Sequence, residues 1–129
     1  MTSLAFIGLG TMGYPMAGHL ARKGFKITVF NRTTEKALRW CSEFGGQYAD
    51  SPAQAVQNAD IVLTCVGNDD DLRAVVLGPT GIVPGLKAGA LLIDHSTVSA
   101  EVSREIAGHL ARMNAGFVDA PVSGGQQGA

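Results

Sequence analysis

The chain has 129 residues, 46% hydrophobic and 16% charged, which places it in the globular class and gives it the length for one domain with a real core. Its formal net charge of -1 offers no electrostatic footprint for nucleic acid or for an anionic membrane surface. Cys41 and Cys65 have neither metal-ligand nor C-x-x-C spacing, so they read as two thiols of a reducing compartment, and no metal site is expected. The apolar start, Leu4 to Leu20, lacks a basic leader region and is broken by glycines and Pro15. No stretch reaches the roughly 18–20 apolar residues that span a bilayer. The expected setting is soluble and cytoplasmic.

In chain order, Leu4-Ala5-Phe6-Ile7 is a short apolar run ending at Gly8, the pattern of a strand buried on both faces. A helix follows from about Thr11 to Lys23, with Met12, Met16 and Leu20 at i+4 spacing and Gly24 as its stop. Phe25 to Phe30 reads as the second strand. Thr33 or Thr34 then caps a helix to about Phe44, closed by Gly45-Gly46. Ser51-Pro52 has the form of an N-cap with proline at the first helical position, opening a helix to Ala59. Ile61 to Val66 is a strand, and Asn68 or Asp69 opens a helix to about Leu77. Gly78 to Gly81 reads as loop and Val83-Pro84-Gly85 as a turn. Leu91 to Asp94 is a strand, Val98 to Met113 an amphipathic helix, and Phe117 to Ala120 the last strand. Strands alternate with helices throughout. The expected fold is α/β, a Rossmann-type doubly wound parallel sheet with helices on both faces and ligands at the carboxyl ends of the strands.

The first strand runs into Gly8-Leu9-Gly10-Thr11-Met12-Gly13, a G-x-G-x-x-G turn placed between strand and helix as a dinucleotide site requires. Gly8 permits the tight turn, Gly10 lets a pyrophosphate approach the backbone, and Gly13 lets the helix pack against the strand. The helix N-terminus then offers free N–H groups to the phosphates. At the end of the second strand, an NAD-specific site carries an acid that bonds the ribose 2′-OH. Here stand neutral Asn31, then Arg32 and Thr33. An arginine pairs with a 2′-phosphate by charge-assisted hydrogen bonds, so NADP(H) is the expected cofactor in preference to NAD(H).

Four stretches in this order resemble the β-hydroxyacid dehydrogenases, the family of 3-hydroxyisobutyrate dehydrogenase, tartronate semialdehyde reductase and, more distantly, 6-phosphogluconate dehydrogenase. They are Phe6 to Ala17, Val29 to Thr33, Asp94-His95-Ser96-Thr97, and Phe117 to Gly125. The resemblance implies that Gly10, Thr11 and Met12 hold the pyrophosphate and that Asn31, Arg32 and Thr33 hold the adenosine ribose and its phosphate. It implies that Val66 and Gly67 border the dinucleotide, although the family often has proline where Gly67 stands. Thr97 would lie near the nicotinamide ribose, and Ser123, Gly124 and Gly125 would bind the carboxylate of a small substrate. The implied reaction is oxidation of a small 3-hydroxy acid at its CH–OH group, or reduction of the corresponding semialdehyde. The family's proton-transfer lysine lies on a helix beyond the last of these stretches. Residues 1–129 therefore read as the dinucleotide-binding domain, cut just after the substrate-binding loop and without the family's helical second domain. No catalytic residue is expected within this chain, and alone it should be inactive. An apolar surface normally covered by that second domain leaves room for a homo-oligomer. The alternative is a stand-alone dinucleotide-binding module that catalyses nothing.

Other residues invite chemistry but have plainer readings. Asp69, Asp70 and Asp71 follow Asn68 at a helix start, where acids suit the dipole and cap N–H groups. Trp40 is expected to pack a helix on the sheet. A single histidine, His95, near the nicotinamide region is not a catalytic assignment.

Overall fold

A computed structural model describes residues 2–122. Its six strands are β1 (Ser3–Ile7), β2 (Lys26–Phe30), β3 (Gln47–Tyr48), β4 (Ile61–Thr64), β5 (Leu91–Asp94) and β6 (Gly116–Asp119). The helices are α1 (Gly13–Arg22), α2 (Thr34–Phe44), α3 (Pro52–Val56), α4 (Asp69–Leu77), α5 (Ile82–Gly85) and α6 (Ala100–Arg112). Every strand pair is parallel and the order is β3-β2-β1-β4-β5-β6, so the chain winds outward in both directions from β1 and β4. This is the Rossmann arrangement expected from the alternation of elements.

The central strands β1 and β4 are apolar because both faces are covered. Alternate residues of β1 point to opposite faces. Ala5 and Ile7 join a core with Val56, Leu72, Val76, Ile106 and Leu110 from α3, α4 and α6. Leu4 and Phe6 join a second core with Ala17 of α1 and Ala37 and Trp40 of α2. Trp40 is fully buried, as its packing role required, and its indole Nε1 donates to the Tyr14 carbonyl at 3.3 Å. Truncating a side chain of this size in a closed core costs about 3–5 kcal/mol.

Two elements depart from expectation. Val83-Pro84-Gly85, read as a turn, lies within the single-turn helix α5, whose Ile82 is fully buried. Proline is tolerated there because the first turn of a helix has no N–H partners to lose. The edge strand β3 was not expected at all. It has two residues, both exposed, and extends the sheet through pairing with Thr28 and Val29. The other elements hold, with ends shifted: β4 stops at Thr64 rather than Val66, and α6 starts at Ala100 behind its N-cap Ser99.

Candidate dinucleotide site

The register of the sheet brings the strand ends to one edge. Gly8 N–H donates to the Phe30 carbonyl at 2.9 Å, Cys65 N–H to Ile7 at 3.0 Å, and His95 N–H to Thr64 at 2.8 Å. Strands β1 and β4 connect away in opposite directions, and a crevice opens between the segments that leave them. A cleft of about 520 Å³ occupies this place. Its lining includes Gly8, Gly10, Thr11, Met12, Gly13, Asn31, Arg32, Val66 and Gly67. The sequence had marked all nine. Leu9 is placed beneath the cleft, with its side chain in the core under α1 and α2. Thr33 and Thr97 are exposed and do not line it. Ser123, Gly124 and Gly125 lie outside the described residues.

The glycine turn has the geometry its sequence implied. Gly8 has φ +103°, a left-handed conformation, and a Cβ there would overlap the Cys65 carbonyl oxygen. A Cβ on Gly13 would overlap the Gly8 carbonyl oxygen, so the start of α1 sits directly on the strand end. Gly10 differs: no atom lies within 4 Å of where its Cβ would be. Its bareness serves no internal packing and leaves open space beside the backbone. Helix α1 has no side-chain cap and no acid in its first turn. Among the described residues, no acceptor takes the N–H groups of Gly10, Thr11 or Met12. These are unspent donors at the positive end of a helix, suited to a diphosphate.

Asn31 does something the sequence did not reveal. Its Oδ1 accepts the Leu9 N–H at 2.9 Å, and its Nδ2 donates to the Thr33 carbonyl at 3.1 Å. The side chain braces the glycine turn against the end of β2 and keeps one amide hydrogen free for a further acceptor. Arg32 extends into solvent, 87% exposed, with Nη1 3.5 Å from Asp71 Oδ1 in the first turn of α4. Pro52, Ala74, Val75 and Thr80 also line the cleft. Sequence reasoning missed these because they come together only where β1 and β4 diverge. The cleft thus has an array of N–H donors, a guanidinium and apolar lining, which suit the diphosphate and flat base of a dinucleotide.

Behind the cleft, the ends of β4 and β5 are tied by a buried network. Asp94 Oδ1 accepts Thr64 Oγ1 at 2.8 Å and the Ser96 N–H at 3.0 Å. Ser96 Oγ in turn accepts the Val66 N–H at 2.8 Å, fixing the segment that borders the cleft. His95 has its Nδ1 2.9 Å from the Ala120 carbonyl oxygen, which orients the ring. Burial pushes the Cys65 thiol up, and the Asp94 charge pushes it further, so Cys65 does not present a thiolate nucleophile to the cleft at neutral pH. Asn68 caps α4, its Oδ1 accepting the Asp71 N–H at 2.8 Å, and the three acids that follow stand in the first turn at the positive end of the helix. Asp69 takes the N–H and hydroxyl of Ser99 at 2.9 and 2.6 Å.

Residues 3–129 match the family described as the NAD binding domain of 6-phosphogluconate dehydrogenase. The chain belongs to this family. An uncharacterized oxidoreductase of Shewanella frigidimarina is 60% identical over 100% of the chain and 44% of its own length. The 3-hydroxyisobutyrate dehydrogenase of Mycobacterium tuberculosis, solved with L-serine, is 32% identical with a TM-score of 0.89, covering 100% of this chain and 43% of that one. A protein named Psf3, solved with NADP+ and 2-OPP, is 28% identical with a TM-score of 0.90, over 98% of this chain and 44% of that one. The chain therefore spans under half the length of the relatives it matches. Within that span it matches a dinucleotide-binding domain, and several of the relatives it resembles are named 3-hydroxyisobutyrate dehydrogenase or 3-hydroxyisobutyrate dehydrogenase-like. Among the described residues, no helix is long and apolar enough to cross a membrane.

Proposed function

We propose that this domain binds NADP(H) in preference to NAD(H) and presents it to a small 3-hydroxy acid or the corresponding semialdehyde in a cytoplasmic oxidoreductase. The observation that carries the reading is the set of unspent N–H groups at Gly10, Thr11 and Met12, facing a cleft that Arg32, at the end of β2, also lines. The glycine turn holds the diphosphate. Arg32, with Thr33 beside it, takes the 2′-phosphate, and Asn31 holds the turn in place while offering its remaining amide hydrogen to the ribose. Val66 and Gly67 border the nicotinamide half, with Thr97 near its ribose. A relative solved with NADP+ supports the choice of cofactor class.

The bound nicotinamide would carry the hydride, and the chain's own residues would bind and orient it. Ser123, Gly124 and Gly125 would receive the substrate carboxylate through a hydroxyl and backbone N–H groups. The proton-transfer group is not placed among these residues, so residues 1–129 by themselves should bind dinucleotide without turnover. The domain is residues 1–129 as a unit, and self-association through its exposed apolar surface is part of the proposal. Calorimetric titration with NADPH and NADH tests the central claim. Tighter binding of NADPH is expected, and equal affinities would remove the role assigned to Arg32. Turnover of a semialdehyde or 3-hydroxy acid by this chain alone would place a general acid within it and overturn the division of labour.

A further inference from the structure

Among the described residues, an ion pair joins two residues that line the cleft. Arg32 follows β2 and belongs to the first half of the sheet. Asp71 sits in the first turn of α4 and belongs to the second half. Both line the cleft, and their charged groups approach to 3.5 Å. The two partners are unequal. Asp71 has a second reason to stay where it is, because its carboxylate lies at the positive end of α4 and its own N–H is held by Asn68. Arg32 has no such restraint: its side chain is 87% exposed against 34% for Asp71.

The position gives Asp71 an effect on the ligand. An NAD-specific site carries its acid at the end of the second strand, where this chain has Asn31. Here the nearby acid comes from the opposite rim, through α4. A 2′-phosphate paired with Arg32 would lie beside a fixed carboxylate of the same sign and would compete with it for the guanidinium. A 2′-hydroxyl would meet neither penalty.

We infer that Asp71 sets how strongly the site discriminates between phosphate-bearing and phosphate-free dinucleotide, acting as the counter-charge that holds Arg32 across the cleft. This inference rests on the reading of Arg32 as the 2′-phosphate partner. It makes Asp71 a specificity-determining residue that weakens NADPH binding relative to the limit Arg32 alone would allow.

The test is a cycle of four proteins, the parent chain, Asp71→Asn, Arg32→Ala and the double variant, each titrated calorimetrically with NADPH and with NADH and melted alongside as a folding control. Asp71→Asn keeps the shape of the side chain and the Asn68 cap. It should tighten NADPH about two- to fivefold, the range of an exposed ion pair, and leave NADH within twofold. The gain should shrink at high salt and be smaller in the Arg32→Ala background, where only the direct repulsion remains. If Arg32→Ala leaves the NADPH-to-NADH ratio unchanged, the Arg32 reading fails and this inference with it. If Arg32→Ala collapses the ratio while Asp71→Asn leaves it unmoved, moves both ligands equally or weakens NADPH, the Arg32 reading stands and the role of Asp71 is overturned.

Discussion

Two helix N-termini face the same cleft from opposite rims, and they are built in opposite ways. Helix α4 is closed by its own residues: Asn68 caps it, and Asp69, Asp70 and Asp71 fill its first turn. Helix α1 is left bare: Met12 occupies the cap position without a side-chain bond, and no acid follows. Capping contributes about 1 kcal/mol, so the bare end is a stability the chain has forgone. The difference separates a helix end that serves the fold from one that keeps its donors for a ligand. Asp69 adds to the contrast by tying α4 to Ser99 at the start of α6, which fixes that rim from behind.

The largest expected effects come from the three glycines of the bare end, which should not behave alike. Gly13→Ala forces a methyl group into the Gly8 carbonyl oxygen, and Gly8→Ala adds a disfavoured φ to a similar overlap. Each should destabilise by about 1–3 kcal/mol or more and abolish measurable dinucleotide binding. Gly10→Ala meets no atom within 4 Å, so its melting temperature should stay near that of the parent while NADPH affinity falls. Calorimetry and thermal melting on the same samples separate the two classes. A large melting shift in Gly10→Ala would mean that its open space is packed in solution.

The next effect exchanges the characters of the two ends. Met12→Asp gives α1 a capping side chain at the position Asn68 holds on α4, with a negative charge added. It should leave stability unchanged or raise it by about 0.3–1 kcal/mol, and it should weaken NADPH at least tenfold by repelling the diphosphate. Asn68→Ala should do the reverse, costing about 1 kcal/mol of stability with little change in affinity. If Met12→Asp binds normally, the N-terminus of α1 does not hold the phosphates.

How far each rim could be read in advance follows from the range of the signals involved. The bare end was legible because its information is local: three glycines at fixed spacing between an apolar run and an amphipathic helix. Asn68 was equally local, as a cap three residues before the N–H it serves. The brace from Asn31 to Leu9 joins residues 22 apart, and the side chain that suggested a ribose contact also holds the turn. The apolar lining of Pro52, Ala74 and Val75 depends on where β1 and β4 part, which no local pattern encodes. Strand β3 had no apolar run to announce it, because both of its residues face solvent. In α5, Pro84-Gly85 read as a turn because four residues are too few to display a helical period.

The smallest effect concerns the rim that α4 fixes. The hydroxyl of Ser99 beside Asp69, and then the Ser99 N–H, hold the Asp69 carboxyl below its usual value. A carboxyl whose folded value is depressed contributes stability that is fully present above its unfolded value, about 3.9, and is lost as pH falls through the lower folded value. Asp69→Asn removes that titration. At pH 6 the variant should melt slightly below the parent, and the gap should narrow as pH falls below about 4. Asp69 is exposed, so the gap should be small, and added salt should reduce it. Affinity for NADPH at pH 7 gives the second readout. If the Asp69–Ser99 tie holds the rim at the width the ligand needs, Asp69→Asn should weaken NADPH and NADH by the same factor, because the tie lies behind the cleft and away from the 2′ position. A loss confined to NADPH would instead mean that α4 turns when the tie is cut and moves Asp71 against Arg32. The stability of this rim and the selectivity of the site would then be controlled by the same helix.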